Sequence, residues 1–208
     1  MSVLGELQPN KVFKYFEEIC SIPHGSRNLQ QISDYLVDFA KAHELKYRQD
    51  EDLNVIIWKD GSKGYEASEP VILQGHMDMV AVKEADCDKD MEKEGLDLEI
   101  NGDYISAKGT SLGGDDGIAV AYTLAVLDDE EMAHPPIEAI FTVNEEIGML
   151  GAATIDVSDL KGRLFMNMDS EDEGVFTVSC AGGASVICKI PYELSLIHIS
   201  EPTRPISI

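Results

Sequence analysis

Basic residues and cysteine are both scarce in this chain, and long apolar runs are missing. Lys and Arg number 16 against 39 Asp and Glu, a formal net charge of −23 over 208 residues. Nucleic acid and anionic membrane surfaces both require a basic face, so neither is expected as a partner. The four cysteines, Cys20, Cys87, Cys180 and Cys188, form no CxxC pair. That argues against a disulfide framework and a zinc knuckle alike, and it suits a reducing compartment. No apolar run approaches the roughly 18 residues of a membrane span, and residues 1–10 lack the basic-then-apolar pattern of a secretion signal. With 44% hydrophobic residues, the expectation is a cytoplasmic globular protein whose acidity is mostly solvated surface.

What is present is an alternation of helical and strand-like patterns. Residues 9–20 place Val12, Phe13, Phe16 and Ile19 on one helical face behind Pro9 and Asn10, and residues 28–43 do the same with Leu29, Ile32, Leu36 and Phe39. Residues 53–58 (LNVIIW) and 71–80 (VILQGHMDMV) read as strands. The acidic run at 86–90 (DCDKD) lacks the Gly and the terminal Glu of a calcium loop. A hairpin is predicted over 97–108 about Asn101 and Gly102, then a buried helix over 118–127 and a strand over 137–143 that runs into Asn144-Glu145-Glu146. A short helix near 149–154 and a strand over 163–168, ending at Asp169, complete the series. Near-continuous apolar strands alternating with helices imply an α/β domain with a mostly parallel central sheet covered by helices on both faces.

Polar clusters follow three of these strands. His76 and Asp78, two residues apart, point the same way along a strand, and a ligating imidazole usually gives its second N–H to a carboxylate. Plainer readings exist for each cluster. His76 and Asp78 could be a hydrogen-bonded pair, Asp115 or Asp116 a helix N-cap, Glu145-Glu146 a solvated helix start, and the acidic run 169–173 an exposed loop. In open α/β sheets, however, the carboxyl ends of the strands converge. Two unit charges about 4 Å apart repel by roughly 4 kcal/mol at an effective dielectric near 20, so carboxylates gathered there call for cations. Asp115, Glu146, Asp169 and one His would suit two divalent ions sharing a bridging carboxylate. Neighbouring Glu145 and Glu146 project differently, so one can ligate while the other acts as a general base.

The segments GHMDMV, GTSLGGDDG, TVNEEIGMLGA and NMDSEDEG, in this order, resemble the signature segments of the aminoacyl-histidine dipeptidases. These are cytosolic two-metal exopeptidases of the wider carboxypeptidase and aminoacylase clan, and the resemblance extends over about residues 5–190. It implies that His76 ligates one ion and Asp78 orients it, that Asp115 bridges the two ions, that Glu146 ligates the second and Asp169 the first, and that Glu145 is the catalytic acid/base. It further implies a cis peptide between Asp115 and Asp116, two zinc ions with cobalt or manganese as alternatives, and metal-dependent hydrolysis of small peptides, Xaa-His dipeptides with broad specificity. A tripeptidase, an N-acyl amino acid deacylase and a non-catalytic metal-binding fragment are the competing readings.

Family enzymes are much longer. They insert a second domain, used for dimerisation and as a substrate lid, and return with a final His ligand. Residues 1–182 thus resemble the N-terminal part of the catalytic domain and 183–193 the start of the lid and dimerisation domain, the rest of which is missing. Residues 194–208 resemble a translated sequencing adapter, a non-native tail. A longer parent is expected to be a homodimer. His198, in the tail, is not expected to be the missing ligand, and His24, His43 and His134 are expected at the surface or capping an element, although His24, after Pro23, stands where it could face the cleft and is assigned no role.

Overall fold

The computed structural model describes residues 2–170, 174–179, 182 and 186–191. The chain divides into two compact units, Met1–Glu171 and Asp172–Ile208, and the described residues of the second carry no helix or strand. Of the expected second-domain entry at 183–193, residues 186–191 are described and carry no helix or strand, while the tail at 194–208, with His198, lies outside the described residues.

The first unit runs α1 (Asn10–Cys20), α2 (Gln30–Ala42), β1 (Lys46–Gln49), β2 (Val55–Lys59), β3 (Val71–His76), β4 (Leu98–Asn101), β5 (Tyr104–Ala107), α3 (Gly114–Leu127), β6 (Ile137–Thr142), α4 (Leu150–Thr154) and β7 (Leu164–Asn167). Five strands form the main sheet in the order β1-β2-β6-β3-β7, while β4 and β5 pair as the separate hairpin expected about Asn101 and Gly102. β3 pairs in parallel with both β6 and β7, whereas β2 is antiparallel to β6 and to β1. Only β2 therefore runs against the others, and the fold is α/β with a mostly parallel central sheet.

Alternation along the strands divides the buried residues between two faces. Val55, Ile57, Leu73, Ala139 and Phe141 share a hydrophobic cluster with Val12, Phe16 and Ile19 of α1, Ile32, Leu36 and Phe39 of α2, and Val120 and Leu124 of α3. Cross-strand register brings Val55 opposite Phe141, and Ile57 and Leu73 opposite Ala139. Ile56, Ile72 and Ile140, on the other face, are buried as well. Part of the cover there is held by charge: the buried Glu138 carboxylate accepts the Lys161 N–H at 2.9 Å and the Gly162 N–H at 2.8 Å. A buried carboxylate is tolerated where backbone donors satisfy it.

β1 and two histidines depart from expectation. β1, Lys-Tyr-Arg-Gln, has no apolar alternation; it exists because its backbone pairs with β2, with Lys46 and Arg48 lying over the Trp58 ring at 4.4 and 5.8 Å. His24 and His134 are buried rather than at the surface, at 2% and 6% exposure. Their rings serve local turns, the Nδ1–H of His24 donating to the Ile22 carbonyl at 2.6 Å and that of His134 to the Pro135 carbonyl at 2.8 Å. His43 is half-buried at the end of α2, stacked on Phe39 with ring centroids 4.3 Å apart.

β7 is the outermost strand, and its Leu164, Phe165 and Met166 stand exposed. Two phenylalanines in this sheet should therefore respond differently to truncation. Phe141→Ala, in the fully buried β6, should cost about 3–5 kcal/mol in urea unfolding, and Phe165→Ala less than about 0.5 kcal/mol.

Candidate metal centre

Three parallel strands deliver the site. β3 ends at His76, β6 leads through Asn144 to Glu145 and Glu146, and β7 leads to Asp169, so all three open on the carboxyl edge of the sheet. The fourth contribution comes from the start of α3, which packs on β3. Gly75 makes that approach possible, since a Cβ there would lie 2.8 Å from Asp116 Oδ2 and 3.0 Å from the Ala119 methyl. Gly113 turns the chain into α3 with a left-handed φ of 68°, and a side chain on it would meet Met79 Sδ at 2.8 Å. Asp115 and Asp116 have non-helical backbone angles, and the peptide bond between them is cis, as the resemblance implied. The start of α3 carries no side-chain cap hydrogen bond, so neither Asp acts as an N-cap; Asp116 Oδ2 instead accepts the His76 N–H at 3.0 Å.

Around His76 the acidic side chains meet. Its Nε2 is 3.0 Å from Asp115 Oδ1 and 3.9 Å from Glu145 Oε2. Two groups of possible ligand atoms lie within 4.8 Å of one another, one from His76, Asp115 and Glu146, the other from His76, Asp116 and Asp169. Every candidate ligand chosen from sequence is present in one group or the other, and residues 86–90 are in neither. Asp116 joins them unforeseen. Its neighbour Asp115, whose side chain is 71% exposed, was the only sequence signal, and nothing in the spacing says that Asp116 turns inward beside it.

Asp78 has a fully buried side chain with each oxygen committed. Oδ1 accepts the Glu145 N–H at 3.0 Å and Oδ2 the Ser26 hydroxyl at 2.8 Å. His76 Nδ1 is 2.9 Å from the Asp78 carbonyl and 3.6 Å from its carboxylate. The hydrogen bond therefore goes to the carbonyl, and the carboxylate acts on the ring as a charge. This leaves Nε2 facing Asp115. Ser26, which carried no sequence signal, is part of the site's support.

Burial alone would depress the His76 imidazole, but the Asp78 contact and the charges of Asp116, Asp78 and Asp169 outweigh it and push it up to about 10. Burial raises Asp116 to about 8 against the opposing pull of His76. Glu145 is raised by burial, with Asp169, Asp78 and Asp115 adding to the shift, and Glu146 by burial and then Asp115. Asp78 goes the other way: burial would raise it, but its contacts with His76, the Glu145 amide and the Ser26 hydroxyl hold it below the usual carboxylate range. Left to itself, the cluster meets its crowded charge by retaining protons. One imidazole among carboxylates is also a donor set that fits zinc, cobalt or manganese. His24, whose buried Nε2 has no partner among the described residues and whose imidazole burial pulls down, belongs to neither ligand group.

No protein-family model matches the chain. Over 183 residues it is 40% identical to the cytosol non-specific dipeptidase of Escherichia coli, an alignment covering 88% of this chain and 38% of that protein. Its backbone superposes on the aminoacylhistidine dipeptidase of Vibrio alginolyticus with a TM-score of 0.80 at 40% identity, covering 82% of this chain and 35% of that one. A tripeptidase from Staphylococcus aureus shares the fold, with a TM-score of 0.66 at 23% identity over 81% of this chain and 45% of its own. The chain thus spans little more than a third of the length of the dipeptidases that it matches. Over most of its own length, it is a homologue of the aminoacylhistidine dipeptidases.

Proposed function

We propose that this chain forms the metal-binding part of a cytoplasmic dipeptidase that hydrolyses the peptide bond of Xaa-His and related dipeptides. The observation that carries the reading is the gathering of one imidazole and several carboxylates at the carboxyl ends of β3, β6 and β7, in a chain 40% identical to a dipeptidase. The Escherichia coli relative is named for the cytosol, which supports the compartment. Because the relatives are much longer than this chain, the substrate lid and any dimer contact belong, in this proposal, to a longer protein.

By the family resemblance, His76, Asp115 and Asp169 would hold one divalent ion and Asp115 and Glu146 a second, zinc being the preferred metal, whereas the side chains as they stand bring Asp115 together with Glu146 and Asp169 together with Asp116. Ions bound there would polarise the scissile carbonyl and lower the pKa of water from about 16 toward 7. Glu145 remains outside the ligand set. Its raised proton affinity suits a group that takes a proton from the attacking water and returns it to the leaving nitrogen. The water oxygen bonds to the carbonyl carbon, the C–N bond breaks, and the proton travels through Glu145 to the released amine. Asp78 supports both partners, holding the His76 ring by its carbonyl and the Glu145 backbone by its carboxylate.

Metal uptake should release protons. His76, pushed up to about 10, and Asp116, at about 8, are both protonated at pH 7 when no cation is bound; an ion ligates only a deprotonated His76, and its charge would also displace the proton of Asp116, which lies within reach of His76 and Asp169. Titration calorimetry of zinc into the chain at pH 7, in buffers of different ionisation enthalpy, should show about one to two protons released per chain. The same shifts set the pH dependence of the metal-free protein. Both groups bind protons more tightly folded than unfolded, so the stability they contribute is present in acid and is lost as pH rises through about 8 and then about 10. Metal-free melting temperatures should fall across that window. In the longer protein, Glu145→Ala should retain bound metal and lose about 10²–10⁴-fold in the release of free histidine from Xaa-His dipeptides. Wild-type turnover by that variant would remove Glu145 from the mechanism, and release of acetate from acetylated amino acids instead of histidine would identify a deacylase.

A further inference from the structure

The loop between α1 and α2 reaches the site through four hydrogen bonds. The Met79 N–H donates to the His24 carbonyl and the Ser26 N–H to the Met79 carbonyl, each at 3.2 Å, so that Gly25 lies beside Met79 as a short parallel bridge just beyond β3. The Ser26 hydroxyl then donates to Asp78 Oδ2 at 2.8 Å, and the Arg27 N–H to Asn144 Oδ1 at 2.8 Å, immediately before Glu145. Arg27 and Asn144, which meet in that last bond, both have left-handed backbones, with φ of 72° and 54°. Non-glycine residues persist in that conformation where their surroundings over-determine it, and such positions cluster at functional sites.

Resting on the metal reading above, we propose that Ser26 is a positioning residue for the metal centre. Its hydroxyl sets the rotation of the Asp78 carboxylate, and Asp78 in turn holds the His76 ring and the Glu145 backbone. Asp78 Oδ2 has the Ser26 hydroxyl as its donor, and the side chain has no exposure through which water could replace it. With the hydroxyl gone, Oδ2 is left buried without a donor, and turning the carboxylate to satisfy it gives up the Glu145 N–H. His76 then loses the fixed carboxylate beside Nδ1, and Glu145 loses its anchor. Ser26 touches neither substrate nor ion and acts only through Asp78.

Zinc affinity of the whole chain, measured by competition with a chromophoric chelator, tests this without reference to turnover. Ser26→Ala should bind zinc about tenfold more weakly, at the low end of what removing an outer partner of a metal ligand costs. Ser26→Thr, which keeps a hydroxyl on the same carbon, should stay within about threefold of wild type. The metal-free melting temperature of Ser26→Ala should fall modestly, because a buried carboxylate oxygen loses its donor, and saturating zinc should widen the gap from wild type, because the variant binds the ion more weakly. A lowered melting temperature with unchanged zinc affinity would mean packing only and would overturn the proposal, as would a Thr variant as weak as the Ala variant. If the wild-type chain binds no zinc, the metal reading itself fails and takes this role with it. If wild type binds and Ser26→Ala matches it, only the role of Ser26 is lost.

Discussion

Repulsion among carboxylates crowded at one edge of a sheet is the constraint on which the rest of this fold depends. Two such charges about 4 Å apart cost roughly 4 kcal/mol at an effective dielectric near 20, and Asp115, Asp116, Glu146 and Asp169 all contribute oxygens within reach of the single His76 ring. A flexible chain would relieve that repulsion by spreading. Here it cannot spread, because His76 closes a buried strand, Glu145 and Glu146 follow a second strand buried throughout, and Asp115 and Asp116 open a helix packed against the first.

Burial, neighbouring charge and hydrogen-bond donors together decide how each buried carboxylate meets this field. Asp78 accepts from the Glu145 amide and the Ser26 hydroxyl, and it stays ionised in a fully buried position. Asp116, which has the His76 amide as its donor among the described residues, is pushed up by burial to about 8. Two buried carboxylates thus hold different protonation states: burial, with the charges of Asp169 and Asp115 beside it, prevails at Asp116, whereas the His76 contact and two donors outweigh burial at Asp78. The division is useful to a hydrolytic site: a permanently charged group supports the imidazole, while the groups of raised proton affinity can exchange protons or give them up to a cation.

Much of the architecture is legible in residue patterns. The amphipathic stripes of α1 and α2 and the apolar runs of β2 and β6 find their elements to within two residues, and that of β3 its start, the strand stopping at His76 rather than Val80, because burial imposes periods of about 3.6 and 2. β1 is invisible for the same reason. Its polar residues are held by main-chain pairing at a sheet edge, which leaves no periodic mark. Histidine burial is equally opaque. His24 and His134 sit among turn-forming residues that suggest solvent, yet each ring is folded inward onto a neighbouring carbonyl.

The sequence by itself determined the class of fold, the positions of the strand tips and the identity of the acidic groups around His76, since hydrophobic period and residue chemistry are local properties. Only the tertiary structure decided that Asp116 turns inward beside Asp115, that the Asp78 carboxylate faces Ser26 and the Glu145 amide while its carbonyl takes the His76 ring, and that the α1–α2 loop clasps the site. Apart from the local His76–Asp78 contact, those outcomes depend on segments 40 to 117 residues apart along the chain meeting through hydrogen bonds. The geometry of such contacts is set by how the strands, helix and loop pack, not by any spacing that can be read along the chain.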